Sequence, residues 1–221
     1  MIIHDVEQRT AEWYELRKGV ITASNAHRLL TPAKRKTYQM ELLAEILSGQ
    51  ITEHYVNEAM QWGIDNEEKA IAEFAKKNPD SKYWKYGFCT NENIPNVGCS
   101  PDLVFQKTNA QHKQLVEIKC LSTKNHLDGN LFGIDADYVA QIQFQMLVTD
   151  FEFALYLGYD PRLPEKLQLY TVKVDRDEKM IERLKEGIAE VNGFIDEFLL
   201  DNGLPRQARK YADEDEYSGF F

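Results

Sequence analysis

Apolar positions follow two different rhythms along the 221 residues, and the change of rhythm outlines the fold. In the first third the spacing is helical. Thr10 is suited to cap a segment carrying Trp13 and Leu16, the turn Arg17-Lys18-Gly19 follows, and a second short helix begins after Thr22 or Ser24. A loop from Thr31 to Thr37, holding Lys34, Arg35 and Lys36, leads into a helix with Leu42, Leu43, Ile46 and Leu47 that stops near Gly49. A longer helix is predicted over about Val56 to Lys77, with Pro79 just beyond its end. The middle of the chain then shifts towards a period of two. Residues 83–90, 97–105 and 113–120 are rich in aromatic and β-branched side chains and read as three strands. A helix over 137–149, strands at 153–159 and 167–174, and an amphipathic helix over about 177–200 complete the order. This predicts a mixed α/β fold around one sheet, with a single domain over residues 1–200 and a C-terminal extension or tail over 201–221.

Three carboxylates break the pattern. In Leu115-Val116-Glu117-Ile118-Lys119-Cys120 the period of two places Val116, Ile118 and Cys120 on one face and Leu115, Glu117 and Lys119 on the other. A Glu and a Lys on a central strand are costly to desolvate unless something pairs with them; the alternative is an edge strand with a solvated ion pair. Asp102 follows Pro101 at a kink entering the preceding strand, and a hairpin between the two strands lets Asp102 and Glu117 converge. On the long helix, Met60, Ile64, Glu67, Ile71 and Phe74 share one face, so Glu67 sits within an apolar stripe, unless the stripe is slightly rotated. Glu68 is its solvated neighbour. Such an oxygen-rich cluster beside a Lys suits Mg²⁺ or Mn²⁺ acting on a phosphate ester, with the Lys positioning and helping to deprotonate the attacking water. The five histidines show no zinc-binding spacing, and no GxxxxGK[ST] phosphate loop occurs.

Composition changes this picture little. The 43% hydrophobic and 28% charged content is that of a soluble globular protein, no apolar run approaches a membrane span, and MIIHDVEQRT lacks the features of a secretory signal. Three cysteines without CxxC spacing favour a reducing cytoplasm, and Cys99 and Cys120 are expected to fill the core. The balance of 26 basic against 36 acidic residues, a formal charge of -10, argues on its own against a polyanionic partner. A protein of this composition that acts on a polyanion must focus its positive charge locally.

Pro101-Asp102 followed by Glu117-Ile118-Lys119 resembles the PD-(D/E)XK nuclease signature. Three further segments sharpen the likeness: Trp13-x-x-x-Arg17-x-Gly19-Val20-Ile21-Thr22-Ala23-Ser24, then Trp62-Gly63 ahead of Glu67, then Tyr138-x-Ala140-Gln141-x-Gln143. Together they resemble the lambda exonuclease, or YqaJ-like viral recombinase, family, with Asp160-Pro161-Arg162 also fitting. The resemblance implies a restriction-endonuclease-like core with a central mixed β-sheet flanked by helices. It also implies a phosphodiesterase that degrades one strand of duplex DNA from a 5′-phosphorylated end, releasing 5′-mononucleotides and leaving 3′ overhangs for recombination.

The site residues implied by the resemblance fall into two groups. Asp102, Glu117 and the backbone carbonyl of Ile118 would ligate a catalytic Mg²⁺ or Mn²⁺, Glu67 would contribute to a second ion, and Lys119 would activate water. Arg17, Ser24, Ser100 and Gln141 would hold the terminal 5′-phosphate, an anion that a guanidinium fork, two hydroxyls and an amide are suited to cradle. Plainer readings stand beside these: a surface arginine, a helix cap, a turn serine and a polar helix face. Gln143 lies about 200° round the helix from Gln141 and cannot share its site. Met60 is either a wedge at the terminal base pair or core, and Lys34, Arg35 and Lys36 either touch the incoming duplex or are simply solvated. The family likeness further implies a ring-shaped trimer, a single-strand annealing protein as partner, no membrane, and a phage or prophage origin. A structure-selective or sequence-specific endonuclease and a non-catalytic DNA-end-binding module are the competing functions.

Overall fold

The computed structural model describes residues 1–51 and 57–205. Strand β1 (Ile2–His4) precedes helix α1 (Ala11–Arg17), whose N-terminus is capped by the Thr10 hydroxyl accepting from the Trp13 N–H. After the two-residue strand β2 (Ile21–Thr22) and a single 3₁₀ turn (Ala23–Asn25) come α2 (Ala26–Leu29) and α3 (Pro32–Ser48). The expected loop over 31–37 is therefore the start of a helix. Pro32 occupies the first turn, where its missing N–H costs nothing, so Thr31-Pro32 is a helix-start signal. Lys34, Arg35 and Lys36 are helical residues.

Helix α4 (Glu58–Lys77) starts at the Asn57 cap; the expected beginning at Val56 lies outside the described residues. The buried positions of α4 are Asn66, Ala70 and Phe74, so its stripe is rotated from the one the sequence suggests. Met60 is 48% exposed, which removes the core reading for it.

Two expected strands are each divided. Residues 83–90 become β3 (Ser81–Trp84) and β4 (Phe88–Asn91), and 97–105 become β5 (Ile94–Cys99) and β6 (Leu103–Lys107). Strands β1, β4, β5 and β2 form one sheet in the order β1-β4-β5-β2. The expectation of one sheet thus gives way to two. The second has the order β3-β6-β7-β8-β9, with β7 (Gln114–Lys119), β8 (Phe153–Tyr159) and β9 (Leu169–Asp175), and is the central mixed sheet: β7 and β8 run parallel, the other neighbours antiparallel. The chain passes directly from a strand of one sheet to a strand of the other, with no intervening helix, at residues 85–87 and 100–102. Gln8 Nε2 donates to the carbonyls of both Tyr86 and Pro101, at 3.2 Å each, and ties the two crossings together.

The parallel pair is joined through α5 (Thr123–Phe132) and α6 (Ala136–Thr149). Helix α5 has a weak sequence signal, because His126 is its one buried residue. Helix α6 is buried over Ile142–Thr149, as expected for a helix packed against both sheets and against α8 (Glu178–Asp201). A short helix, α7 (Glu165–Gln168), lies between β8 and β9. One core joins Leu115, Phe144, Tyr156 and Ile188; a second, under α4, joins Val116, Ile118, Cys120 and Phe105. The alternation along β7 is the one its sequence suggests. All three cysteines are buried and free. Residues 206–221, most of the expected tail, lie outside the described residues.

Packing is tight where β5 lies against β4. A methyl added at Gly98 would come within 2.2 Å of the ring of Phe88, itself fully buried beside Trp13 and Val20. Gly98→Ala is expected to cost about 1–3 kcal/mol in chemical denaturation, the usual penalty of overpacking.

Candidate active site

The crossing at Pro101 puts Asp102 just ahead of β6. Pairing of Leu103 with Val116 brings it beside Glu117 on β7. The Asp102 carboxylate (Oδ2) accepts the Ile118 N–H at 2.7 Å. Glu117 is 1% exposed and accepts three hydrogen bonds: from Lys119 Nζ and Gln141 Nε2 at its Oε1, and from Gln145 Nε2 at its Oε2, each at 2.6 Å. Lys119 also donates to Gln141 Oε1 at 3.3 Å and lies 4.9 Å from the centre of the Tyr138 ring.

The electrostatics match this crowding. Burial, reinforced by the Glu117 and Glu67 charges, pushes the Asp102 carboxyl well above the usual carboxylate range. Burial alone would pull Lys119 down, but the Glu117 and Asp102 carboxylates outweigh it and hold the ammonium above its ordinary value. Buried like charges of this kind are relieved by a cation. No group of three His, Cys, Asp or Glu side chains among the described residues is gathered closely enough to hold a metal unaided. The core of the set is two carboxylates on adjacent strands. Glu67, on α4, is engaged elsewhere, accepting from Arg9 Nη2 at 2.5 Å. An all-oxygen donor set dominated by carboxylates fits a hard divalent cation such as Mg²⁺ or Mn²⁺.

Beyond Pro101 lies a second cluster. Trp13 Nε1 donates to Ser100 Oγ at 2.8 Å and to the Gly87 carbonyl at 3.2 Å. The hydroxyl of Ser100 thereby keeps its own proton free to donate. The Arg17 guanidinium stacks 4.0 Å from the Trp13 ring centre and 5.9 Å from that of Phe88. No carboxylate lies within ion-pairing distance of it among the described residues. Burial draws its pKa down despite weaker contributions in the other direction from Tyr38, Tyr14 and Glu45. Ser24 is exposed, with its hydroxyl 3.3 Å from that of Thr22. Gln141 belongs by its contacts to the Glu117–Lys119 cluster.

The remaining sequence candidates are dispersed. Arg35 is held by the Leu29 carbonyl at 2.9 Å and by an ion pair with Glu190 on α8, whereas Lys34 and Lys36 are exposed on α3. Gln143 faces away from the site: it donates to the Asp175 carbonyl and accepts from the Asp177 N–H, bracing the start of α8. Asp160 is fully buried and accepts from Thr123 Oγ1 at 2.6 Å and Arg162 Nε at 2.7 Å, while the Arg162 guanidinium lies 4.2 Å from the Trp62 ring centre. That motif joins β8, α5 and α4. Sequence reasoning missed Gln145 and Arg9. For Gln145 the signal was present, since it stands four residues after Gln141 and therefore on the same helix face.

Residues 12–152 match the family described as the YqaJ-like viral recombinase domain. The ExoD protein of Escherichia coli (strain K12) is 32% identical over 76 residues, which cover 34% of this chain and 86% of ExoD. Among solved structures, the alkaline exonuclease LHK-Exo from Laribacter hongkongensis is 28% identical with a TM-score of 0.78, covering 88% of this chain and 98% of its own. LHK-Exo has also been solved in complex with dAMP. A phage-related exonuclease from Haemophilus somnus 129PT shares the fold, with a TM-score of 0.65 at 16% identity, covering 83% of this chain and 96% of its own. With the match spanning both strands of the carboxylate pair, the Arg17 segment and α6, the chain belongs to the YqaJ-like viral recombinase domain family.

Proposed function

We propose that this protein is a metal-dependent 5′-to-3′ exonuclease that degrades one strand of duplex DNA from a 5′-phosphorylated end, releases 5′-mononucleotides and leaves 3′ overhangs for strand annealing. The observation that carries this reading is the pairing of Asp102 with the Glu117–Lys119 strand, two residues from Ser100 of a Ser100–Trp13–Arg17 cluster whose guanidinium lacks a carboxylate partner among the described residues. Cleavage chemistry and an anion-accepting pocket then adjoin. Likeness to LHK-Exo, a relative solved with a nucleoside monophosphate, supports the same reading.

Asp102, Glu117 and the main-chain carbonyl of Ile118 would hold a Mg²⁺ or Mn²⁺ ion, and Glu67 would serve a second. When bound, such ions polarise the scissile phosphate and acidify water. Gln141 and Gln145 fix the Glu117 carboxylate from both its oxygens. Lys119 would orient the attacking water and, once cation charge at the carboxylates lets the ammonium release its own proton to solvent, the neutral amine would take the proton of that water. Arg17, Ser24 and Ser100, with Gln141 at the boundary, hold the terminal phosphate and so restrict cutting to ends. The reading includes a ring-shaped trimer and a single-strand annealing partner.

Substrate topology tests it. Linear duplex should be degraded in Mg²⁺ or Mn²⁺, covalently closed circles should survive, and EDTA should stop the reaction. Equal cutting of circles and linear duplex, read on a gel, would establish an endonuclease instead. Tight end binding without hydrolysis in either cation would establish a binding module.

A further inference from the structure

Arg9 stands in the turn between β1 and α1 with φ at 70°, in the left-handed region that side-chain-bearing residues seldom adopt. Both neighbours are committed to the site's framework. Gln8 ties the two inter-sheet crossings, including the carbonyl of Pro101 ahead of Asp102, and Thr10 caps the helix that carries Trp13 and Arg17. Arg9 itself points to α4, where its Nη2 donates to Glu67 Oε2 at 2.5 Å. Its other donors make no hydrogen bond among the described residues, and its side chain is 43% exposed against 17% for Glu67. Because Gln8, the preceding residue, bonds the Pro101 carbonyl next to Asp102, and Arg9 itself holds Glu67, Arg9 stands at the rim of the same carboxylate cluster.

A strained backbone persists where the surrounding structure enforces it, and such residues gather at functional sites. A polyanionic strand approaching Asp102, Glu117 and Glu67 meets like charge, and an arginine at the rim offsets it. We propose that Arg9 is a phosphate-binding residue of the active site. Glu67 fixes one edge of the guanidinium, and the free donors take a non-bridging oxygen of a DNA backbone phosphate beside the scissile bond. This rests on the nuclease reading above. The competing role is a purely structural latch between the N-terminal turn and α4.

The test compares Arg9→Ala, Arg9→Lys and Arg9→Gly. Glycine accepts the backbone angle, so Arg9→Gly should be at least as stable as Arg9→Ala in thermal melts. Both should lose about 10- to 100-fold in kcat/KM on linear duplex, the scale of a charged hydrogen bond. In EDTA, where cutting is suppressed, the slope of log affinity against log salt should fall by about one for Ala and Gly and stay unchanged for Lys. An Arg9→Gly enzyme with wild-type kcat/KM, or an unchanged salt slope in Arg9→Ala, overturns the proposal while leaving the exonuclease reading intact. A wild-type protein that binds but never cuts linear duplex overturns that reading instead, and the salt slope still decides the Arg9 contact.

Discussion

Lys119→Ala is expected to slow digestion of linear duplex by about 10²- to 10⁴-fold, the range associated with losing a positioned acid–base group. Affinity for DNA ends should persist. The Lys119 ammonium lies at the end of β7 within 2.6 Å of Glu117 Oε1, and the carboxylates keep it charged. Removing it leaves Glu117 still fixed by Gln141 and Gln145, so the carboxylate keeps two of its three donors. Loss of a buried charge partner also destabilises the fold, which makes melting temperature a necessary control. Lys119→Met retains much of the aliphatic packing and should be equally slow. Single-turnover cleavage of a 5′-phosphorylated duplex, beside end binding in EDTA, separates the effects. Cleavage within tenfold of wild type in a folded Lys119→Ala protein would remove Lys119 from the chemistry.

The same strand shows why part of the site is legible in sequence. Along β7 the alternation assigns Val116, Ile118 and Cys120 to one core and leaves Glu117 and Lys119 on the other face, where two charges have no apolar rationale. A local period and a chemical misfit need no long-range information. The split of 83–90 and 97–105 does need it. Both stretches keep strand-like composition across residues 85–87 and 100–102, and what redirects the chain is tertiary: the backbone of Val6 packs so closely on Gly87 that a Cβ there would lie 2.0 Å from its carbonyl oxygen. Gln8 then secures both crossings from a distant part of the sequence.

Helices divide in the same way. Asp177 caps α8 and Asp135 caps α6, signals written in neighbouring residues, and both helices lie where their apolar spacing suggests. Helix α5 has a cap at Ser122 but almost no apolar face, so periodicity passes over it. The Arg9–Glu67 pair joins positions 58 residues apart, with no local cue beyond two opposite charges. The formal charge of -10 misleads for a related reason: it counts the carboxylates of the proposed cation site, and is blind to where Arg9, Arg17 and Lys119 are placed.

Arg17→Ala is expected to erase the preference for a 5′-phosphorylated end. The guanidinium lies 4.0 Å from the Trp13 ring centre and 5.9 Å from that of Phe88 and draws on no carboxylate within ion-pairing distance among the described residues. Burial lowers its pKa, so holding its charge there is costly unless an anion arrives. A terminal phosphate would gain the arginine's planar donors and the free proton of Ser100, whose oxygen is already engaged by Trp13. Each such charged hydrogen bond contributes about 1.5–3 kcal/mol, so digestion of a 5′-phosphorylated duplex should fall by roughly 10- to 100-fold. Digestion from a 5′-hydroxyl end, which the proposed pocket would leave slow in the unaltered enzyme, should barely change. Arg17→Lys should fall between, because an ammonium keeps the charge but loses the fork. Initial rates on duplexes differing only in that phosphate measure the ratio directly. An Arg17→Ala enzyme that still discriminates as wild type does would place the terminal phosphate elsewhere.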